Sequence, residues 1–215
     1  MGWWFPDHEQ HLIEWMRNPK TAVEINGRRA YQGSKQLAAL RHCRWTRVAV
    51  DVGAHVGLWS FNLAHAFQRV KAFEPVADHR DCFVLNVPTD KAAVVLYECA
   101  LGAVEGAVKI SVAPGSSGDS RVAVEGEGDI PMKRLDSFKL TDVDLLKIDC
   151  EGYEENVVDG AHETIMRCRP VIIVEQKRKM ATRFGLQPQG AVSQLKRWGY
   201  TVAEEISGDY IMVPA

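Results

Sequence analysis

The segment DVGAHVG, residues 51–57, is the most informative stretch of this 215-residue chain. It begins inside RVAVDV (47–52), an apolar run rich in β-branched residues that predicts a buried strand. Glycines directly after such a strand let the backbone approach a ligand closely, and the first turn of the following helix offers free N–H groups. Ligands of open α/β sheets bind beyond the carboxyl ends of the strands. The segment therefore predicts a ligand site at a strand-to-helix turn.

Strands and helices continue to alternate along the rest of the chain. Further strands are predicted at 70–73, 94–100, 143–149 and 170–175, and helices near 57–68, 78–86, 153–167 and 189–198. The chain ends with GYTVAEEI and GDYIMV, which predict an antiparallel pair joined at Ser207-Gly208. Apolar strands separated by helices are typical of a parallel sheet that is covered on both faces. We therefore expect a doubly wound, Rossmann-like α/β fold, mostly parallel, with an antiparallel terminal hairpin.

The middle of the chain breaks this rhythm. AVKISVA (107–113), RVAVE (121–125) and PMKRLDSF (131–138) predict three shorter and more exposed strands. The polar loop PGSSGDS (114–120) lies between the first two strands. Because its glycines and serines allow movement, the loop is a candidate lid, with an ordinary hairpin connection as the alternative.

Length and composition indicate one domain with an N-terminal leader. A chain with 46% hydrophobic and 25% charged residues has the composition of a globular protein, and its length suffices for one sizeable core. We assign residues 46–215 to this domain and residues 1–45 to a helical, aromatic leader whose first helix starts near Pro6. The aromatic segment WWF (3–5) must pack against the main domain or against a partner subunit, so a homodimer stays open.

Composition also argues against several classes of protein. The net charge of −2 gives no overall case for a nucleic-acid or membrane partner. The N-terminus lacks the basic region of a secretory signal, and no apolar run approaches the roughly 20 residues of a membrane span. The five cysteines form no C-x-x-C pair, so they predict neither a zinc knuckle nor a thioredoxin-type redox site. We expect a soluble cytoplasmic protein.

Two kinds of nucleotide cofactor compete for the turn at 51–57. A dinucleotide-binding protein carries G-x-G-x-x-G, where the helix dipole faces a pyrophosphate. This chain has G-x-x-x-G, from Gly53 to Gly57, and an acid, Asp51, at the strand end, where it would repel a pyrophosphate. S-adenosylmethionine (SAM) has no phosphate and carries an amino group and a sulfonium. The acid therefore favours SAM over a dinucleotide.

Two further elements follow the second and third strands. Glu74 comes directly after the second strand, where a carboxylate can accept hydrogen bonds from both hydroxyls of a ribose. The small and apolar residues of Cys99-Ala100-Leu101-Gly102 follow the third strand and could flank an adenine ring. The predicted cofactor-binding residues are Asp51, Gly53, His55, Gly57, Glu74, Pro75, Ala100, Leu101 and Asp149.

With its later segments added, the chain resembles the FkbM family of SAM-dependent methyltransferases. The matching motifs are DVGAHVG (51–57), FEP (73–75), ALG (100–102), LDSF (135–138), KIDCEGYE (147–154), DGA (159–161) and IIVE (172–175). The resemblance covers about residues 47–206, and K-I-D-x-E-G-x-E followed by G-A is its most specific part. The chain departs from the family at His55, where Asn is usual.

The resemblance implies a class I methyltransferase fold, SAM as the methyl donor and a hydroxyl oxygen as the acceptor. Carried over residue by residue, it gives four parts of the site. They are Asp51, Gly53 and Gly57 at the methionine part of SAM, Glu74 on the ribose, Ala100 and Leu101 near the adenine, and Asp149 and Glu151 at the mouth.

An acceptor hydroxyl has to lose a proton, which calls for a base or a metal. In an extended stretch the side chains of Lys147, Asp149 and Glu151 point the same way, and these are the predicted catalytic residues. The two carboxylates could position SAM, accept a proton or hold a divalent cation such as Mg²⁺. Alternatively, Glu151 caps the helix that starts near residue 153.

Two other residues belong to the predicted pocket. Glu175 ends the strand after Asp149 and is expected to line it. His55 sits in the cofactor turn, where we expect it to support the residues that contact the ligand rather than contact the ligand itself.

The acceptor itself is not specified by the sequence. The leading hypothesis is a methyltransferase acting on a hydroxyl oxygen of a small molecule or glycan. The segment from 177 to 197 is basic, with Lys177, Arg178, Lys179, Arg183, Lys196 and Arg197 and no acid, so a nucleic-acid methyltransferase is the alternative. A solvated basic face is the simpler reading of that segment. A non-catalytic SAM-binding domain is the third hypothesis.

Overall fold

The computed structural model describes residues 2–18, 23–88, 90, 92–113, 115–123, 128–177 and 180–215. Its α-helices are α1 (His11–Arg17), α2 (Gly33–His42), α3 (Leu58–Ala66), α4 (Ala77–Asn86), α5 (Glu154–Asp159), α6 (His162–Cys168) and α7 (Gly190–Arg197). Its strands are β1 (Val23–Ile25), β2 (Arg28–Ala30), β3 (Val48–Val52), β4 (Arg69–Phe73), β5 (Ala93–Tyr97), β6 (Ala100–Leu101), β7 (Gly106–Val108), β8 (Ile110–Ala113), β9 (Ser116–Val122), β10 (Ile130–Lys133), β11 (Val143–Ile148), β12 (Val171–Glu175), β13 (Tyr200–Ile206) and β14 (Asp209–Pro214).

The central sheet has seven strands in the order β13-β14-β12-β11-β3-β4-β5. The five strands from β12 to β5 are parallel, and β14 pairs antiparallel with both β12 and β13. The doubly wound, mostly parallel fold with a closing hairpin is therefore confirmed. None of the described helices is both long and apolar enough to cross a membrane.

Alternation along the strands gives the sheet two separate cores. On one face, Val50 packs in a cluster with Val157 and Leu195, which lie on α5 and α7. On the other face, Ala49 packs in a cluster with Leu63 of α3. Because both faces of the central strands are buried, these strands are predominantly apolar, and this pattern allowed them to be predicted from the sequence.

The register brings the predicted site to one edge of the sheet. One row across the sheet consists of Tyr97, Phe73, Val52, Ile148 and Val174. The residues that follow four of them, namely Glu74, Gly53, Asp149 and Glu175, therefore lie side by side at the carboxyl edge. This is the edge at which α/β sheets bind ligands.

Two local predictions in the middle of the chain were wrong. The polar loop at 114–120 is largely strand, since β9 begins at Ser116 and pairs antiparallel with β8. LDSF is a turn of 3-10 helix, Leu135–Phe138, instead of the end of a strand. Asp136 of this turn accepts hydrogen bonds from the backbone of α6, so its side chain acts as a cap.

The helix predicted over 153–167 is two helices, α5 and α6. They are separated at Gly160, where an added Cβ would lie 2.0 Å from the carbonyl oxygen of Gly102. The third strand is also divided, because Ala100 and Leu101 leave β5 and pair with β10 in a small separate sheet.

The leader folds onto the turn at 51–57. Its first helix begins at His11 rather than near Pro6, because Glu9 accepts a 2.6 Å hydrogen bond from the N–H of Leu12 and so caps α1. Leu12 packs in a cluster with Val56, and Trp3 packs edge-on against Phe61 of α3. The division into a leader and a domain at residue 45 remains a prediction.

Candidate functional site

A cavity of about 950 Å³, open mouth included, lies at the carboxyl edge of the sheet. The ends of β3, β4, β6 and β11 form its floor, and Leu12 and Tyr31 of the leader together with β9 line its other side. The predicted cofactor residues that line it are Gly53, His55, Glu74, Pro75, Ala100, Leu101 and Asp149. Of the predicted catalytic residues, Lys147 and Glu151 also line it.

Asp51 does not line this cavity. The side chain is fully buried below the turn, where it accepts a 2.7 Å hydrogen bond from Ser60 and lies 3.1 Å from Nζ of Lys147. Lys147 also donates to the carbonyl oxygen of Gly53 at 2.7 Å. The geometry therefore disagrees with the expectation that Asp51 meets the charge of a ligand directly, because its own charge is already balanced by Lys147.

Lys147, the buried partner of Asp51, also has a structural role. Burial alone would lower the pKa of its amine, but the neighbouring carboxylates of Asp51 and Asp149 raise it above its ordinary value. An ammonium that is held charged in an ion pair and bonded to two backbone carbonyls cannot serve as a base. Lys147 is therefore placed to fix the turn that carries Gly53.

The two glycines of the motif are required by close packing. Gly53 has φ +72°, and an added Cβ would lie 2.0 Å from the carbonyl oxygen of Asp149 on the neighbouring strand end. Gly57 has φ +87°, and its added Cβ would lie 2.4 Å from Val87 at the end of α4. Gly57 is thus a packing residue outside the cavity, in contrast to its predicted contact with the cofactor.

Most hydrogen-bond acceptor positions of the Glu74 carboxylate are occupied by donors of the protein itself. One carboxylate oxygen accepts from the N–H of Val76 at 2.9 Å and from Nδ1 of His79 at 3.1 Å, and the other accepts from the N–H of His55 at 2.8 Å. A carboxylate has about four acceptor positions. Three are used, so one remains for a ligand.

His79 was missed by the sequence reasoning. It lies in α4, lines the cavity and is 1% exposed, and its Nε2 has no hydrogen-bond partner among the described residues. A carboxylate only accepts, so Nδ1 donates to Glu74, and in the tautomer whose single ring proton is on Nδ1 the Nε2 atom is an acceptor. Glu74 and His79 together therefore offer two acceptors at one end of the cavity.

His55 lines the cavity and bonds to its wall, and its predicted role in supporting the residues that contact the ligand stays a prediction. Nε2 of His55 bonds to the hydroxyl of Ser117 at 2.7 Å, and that hydroxyl donates to the carboxylate of Glu9. Burial, followed by the nearby ring of His79, lowers the pKa of His55 well below its ordinary value. Since the serine donates to Glu9, the neutral imidazole must donate through Nε2, and this chain of bonds ties the leader to β9 over the cavity.

Three carboxylates meet beside the ends of β11 and β12. Asp149 and Glu151 line the cavity, whereas Glu175, which was expected to line it, is buried behind them and does not. Asp149, Glu151 and Glu175 each offer an oxygen, and these oxygens all lie within 4.8 Å of one another. We call these three residues the acid cluster. Burial and the charge of Asp149 raise the pKa of Glu151 to about 8 and that of Glu175 to about 9. Perturbed carboxylates in a cleft are typical of functional sites.

The backbone holds Glu151 in an unusual conformation. Its φ is +53°, and the next residue, Gly152, has φ +107° and packs against the backbone of Met180. Glu154 fixes this loop, since its carboxylate accepts from the N–H groups of Cys150 and Gly152. The alternative that Glu151 caps the helix is wrong, because the acid that bonds to the backbone at the start of α5 is Glu154.

Of the predicted basic segment, the described residues Lys177, Lys196 and Arg197 do not form one surface beside the cavity. Lys177 lies at the carboxyl edge, where it pairs with Glu175. Lys196 and Arg197 end α7 near Trp198, whose carbonyl bonds to Arg169 just before β12, at the opposite edge of the sheet. Arg178 and Lys179 lie outside the described residues.

Comparisons with known proteins agree with this architecture. The model of the methyltransferase FkbM domain matches residues 51–202, which is most of the chain. A comparison with curated proteins finds no match.

Three solved structures share the fold. A methyltransferase FkbM from Methylobacillus flagellatus KT is 16% identical with a TM-score of 0.52, over 78% of this chain and 43% of that one. A precorrin-6y C5,15-methyltransferase from Geobacter metallireducens is 16% identical with a TM-score of 0.50, over 90% and 93%. A TehB-like SAM-dependent methyltransferase from Corynebacterium glutamicum is 10% identical with a TM-score of 0.50, over 95% of both chains. The present chain spans less than half the length of the Methylobacillus protein.

Proposed function

This chain belongs to the FkbM methyltransferase family, and from that premise we propose that it transfers the methyl group of SAM to a hydroxyl oxygen of a small molecule or glycan. One observation carries the proposal. Two groups of residues line one cavity at the carboxyl edge of the sheet: Glu74 with His79 beyond the end of β4, and Asp149 with Glu151, of the acid cluster, beyond the end of β11. Glu74 and His79 can accept hydrogen bonds from the ribose of a nucleoside. The acid cluster can accept a proton from the hydroxyl that is to be methylated.

At the nucleoside end, Glu74 and His79 would receive the two ribose hydroxyls. Each residue has one buried acceptor position left, and each hydroxyl supplies one donor. Ala100 and Leu101, both buried strand-end residues, would lie against the adenine. The turn at Gly53 would lie beside the methionine part, with its shape fixed from below by Lys147. The pocket thus fits SAM by shape and hydrogen bonding, without a direct contact from Asp51.

At the other end, Asp149 is the proposed base. It lies directly after β11 and beside Gly53, because its N–H bonds to the carbonyl oxygen of Val52. SAM supplies a methyl group on a positively charged sulfur, which becomes neutral as the methyl leaves. Asp149 would take the proton of the acceptor hydroxyl, so that the acceptor oxygen could receive the methyl group. Holding the acceptor oxygen in line with that carbon is a large part of such catalysis.

The enclosure of the cavity favours a small acceptor over a nucleic acid. Leu12, Tyr31 and β9 line the side opposite the strand ends, and the basic residues of α7 lie away from the mouth. A nucleic-acid substrate would need a continuous basic surface that leads into the site. A non-catalytic SAM-binding domain would have no use for the acid cluster.

The proposal is tested by transfer of a tritiated methyl group from SAM to a panel of hydroxylated metabolites, glycans and nucleic acids. We expect transfer to a member of the first two classes, with the label stable to conditions that cleave methyl esters. The Asp149→Asn variant should lose this transfer, and Glu163→Gln, which changes an exposed acid of α6, should keep it. Transfer to nucleic acids alone, or transfer that Asp149→Asn leaves unchanged, would contradict the proposal.

A further inference from the structure

The acid cluster contains more carboxyl groups than the neighbouring lysines pair with. Three nearby acids have a partner each: Asp51 pairs with Lys147, Asp209 pairs with Lys35 at 2.8 Å, and Glu175 pairs with Lys177. Within the part of the chain that the structure describes, no lysine or arginine forms an ion pair with Asp149 or Glu151. Two carboxylates therefore face the cavity without a positive partner of their own.

Glu175 supplies a second and independent observation. It is 2% exposed, and Lys177 pairs with only one of its oxygens. The other oxygen is buried and has no hydrogen-bond partner among the described residues. Buried polar atoms are nearly always bonded, so an orphaned carboxylate oxygen beside two further carboxylates indicates a ligand that is itself positively charged.

We propose that Asp149, Glu151 and Glu175 bind a divalent metal ion at the acceptor end of the cavity. All three ligands are carboxylate oxygens, which Mg²⁺, Mn²⁺ and Ca²⁺ prefer, whereas zinc sites usually include nitrogen or sulfur. The cluster spans two adjacent strand ends and the fixed turn at Glu151, so the ligands come from elements that are rigidly placed. Three protein ligands leave coordination positions open for water or for an acceptor oxygen.

The ammonium group of Lys177 would compete with this ion for the Glu175 carboxylate. Its side chain is 44% exposed, and its amine pairs with the Glu175 carboxylate beside the cluster. A lysine ammonium is a single point charge on a flexible stem, so it can move into solvent when a doubly charged ion enters. The cation site exists independently of the proposed function, but its use in binding the acceptor hydroxyl rests on that function.

The test is Mn²⁺ binding to the full chain, measured by electron paramagnetic resonance and by calorimetry after treatment with a chelator and without SAM. We expect one Mn²⁺ per chain, and we expect Mg²⁺ to compete for it. Glu175→Gln should weaken binding at least about 10-fold, an effect of the size seen when a metal site is altered. Lys177→Met should bind Mn²⁺ more tightly, because it removes the competing charge. Glu163→Gln is the control and should bind like the unaltered protein.

Absence of stoichiometric Mn²⁺ binding would overturn the proposal, as would unchanged affinity in Glu175→Gln or weaker affinity in Lys177→Met. The Lys177 variant keeps the test decisive if Glu175→Gln does not fold. S-adenosylhomocysteine (SAH) binding is measured on the same samples. If SAH binds and Mn²⁺ does not, only the metal site fails; if Mn²⁺ binds and SAH does not, the proposed methyltransferase function fails.

Discussion

The two acidic ends of the cavity are built in opposite ways. Glu74 is surrounded by donors from the backbone of His55 and Val76 and from the ring of His79. In the acid cluster, by contrast, Glu175 keeps a buried oxygen that has no hydrogen-bond partner in the described parts of the chain, and it lies within a few ångströms of two further carboxylates. Both groups lie on the same edge of the same sheet, so the fold alone does not explain the difference.

Glu74 is a preorganised acid, whereas the crowded carboxylates of the acid cluster destabilise the folded chain. A buried carboxylate that accepts several backbone hydrogen bonds is stable as an anion and has a fixed position, which suits the recognition of a neutral ribose. Carboxylates that crowd together without donors raise each other's pKa and reduce the stability of the folded chain. A protein that retains such a cluster commonly gains function from it.

The largest effect is expected at the acceptor end. Asp149→Asn removes the proposed base while keeping the volume of the side chain, so methyl transfer should fall by about 10²–10⁴-fold, the usual contribution of a general base. Binding of SAH should stay close to that of the unaltered protein. Initial rates of tritium transfer and calorimetric titration with SAH measure the two quantities. A loss of SAH binding that matches the loss of rate would remove the distinction between the two ends.

The reverse pattern is expected at the nucleoside end. Glu74→Ala removes a charged hydrogen-bond acceptor worth roughly 1.5–3 kcal/mol, so SAH affinity should fall by about 10–100-fold. Mn²⁺ binding should be unaffected. Glu98→Ala is a matched control, because Glu98 follows the neighbouring strand β5 and is largely exposed. Equal losses in the two variants would show that Glu74 has no special position.

A smaller loss is expected for the residue that sequence reasoning missed. His79→Phe keeps the ring but removes the free acceptor and the donor to Glu74, and we expect SAH affinity to fall by about 3–10-fold, the value of one neutral hydrogen bond. Adenine alone should bind equally well to the variant and to the unaltered protein, since His79 is proposed to meet only the ribose. An affinity for SAH that does not change would exclude His79 from the site.

The smallest effect has the opposite sign. Glu175→Gln replaces a buried carboxylate whose second oxygen lacks a partner with an amide that can donate to its acidic neighbours. We expect the free energy of unfolding, measured without divalent ions and at a pH above the raised pKa of Glu175 (about 9), to rise by about 1 kcal/mol. Urea unfolding followed by circular dichroism measures this change. A destabilisation of similar size would mean that Glu175 is a structural acid like Glu74.

Much of the fold could be predicted from the sequence because the central strands are buried on both faces. β3, β11 and β12 are short, mostly apolar runs that are buried throughout, and a helix follows each of β3 and β11. The glycine turn, Glu74 and Asp149 each follow a strand, and parallel strand ends meet at one edge. The prediction that they share one pocket therefore needed only the topology.

Other parts of the site depend on contacts that a sequence does not display. Ser117 bonds to Glu9, which is 108 residues away along the chain. The strand β9 was predicted as a loop because glycine and serine favour loops, whereas its pairing with β8 gives it a strand conformation. Asp51 was predicted to contact the ligand because nothing in the sequence indicated that Lys147 faces it in the register of β3 and β11.

Calorimetric titration of SAH into the unaltered protein, Glu74→Ala and Asp149→Asn tests the division of the cavity most directly, with NAD as the competing nucleotide. We predict that the unaltered protein binds one SAH and no NAD, that Glu74→Ala binds SAH about 10–100-fold more weakly and that Asp149→Asn binds it almost unchanged. Uptake of NAD without SAH, or a weakening in Asp149→Asn as large as that in Glu74→Ala, would contradict the account.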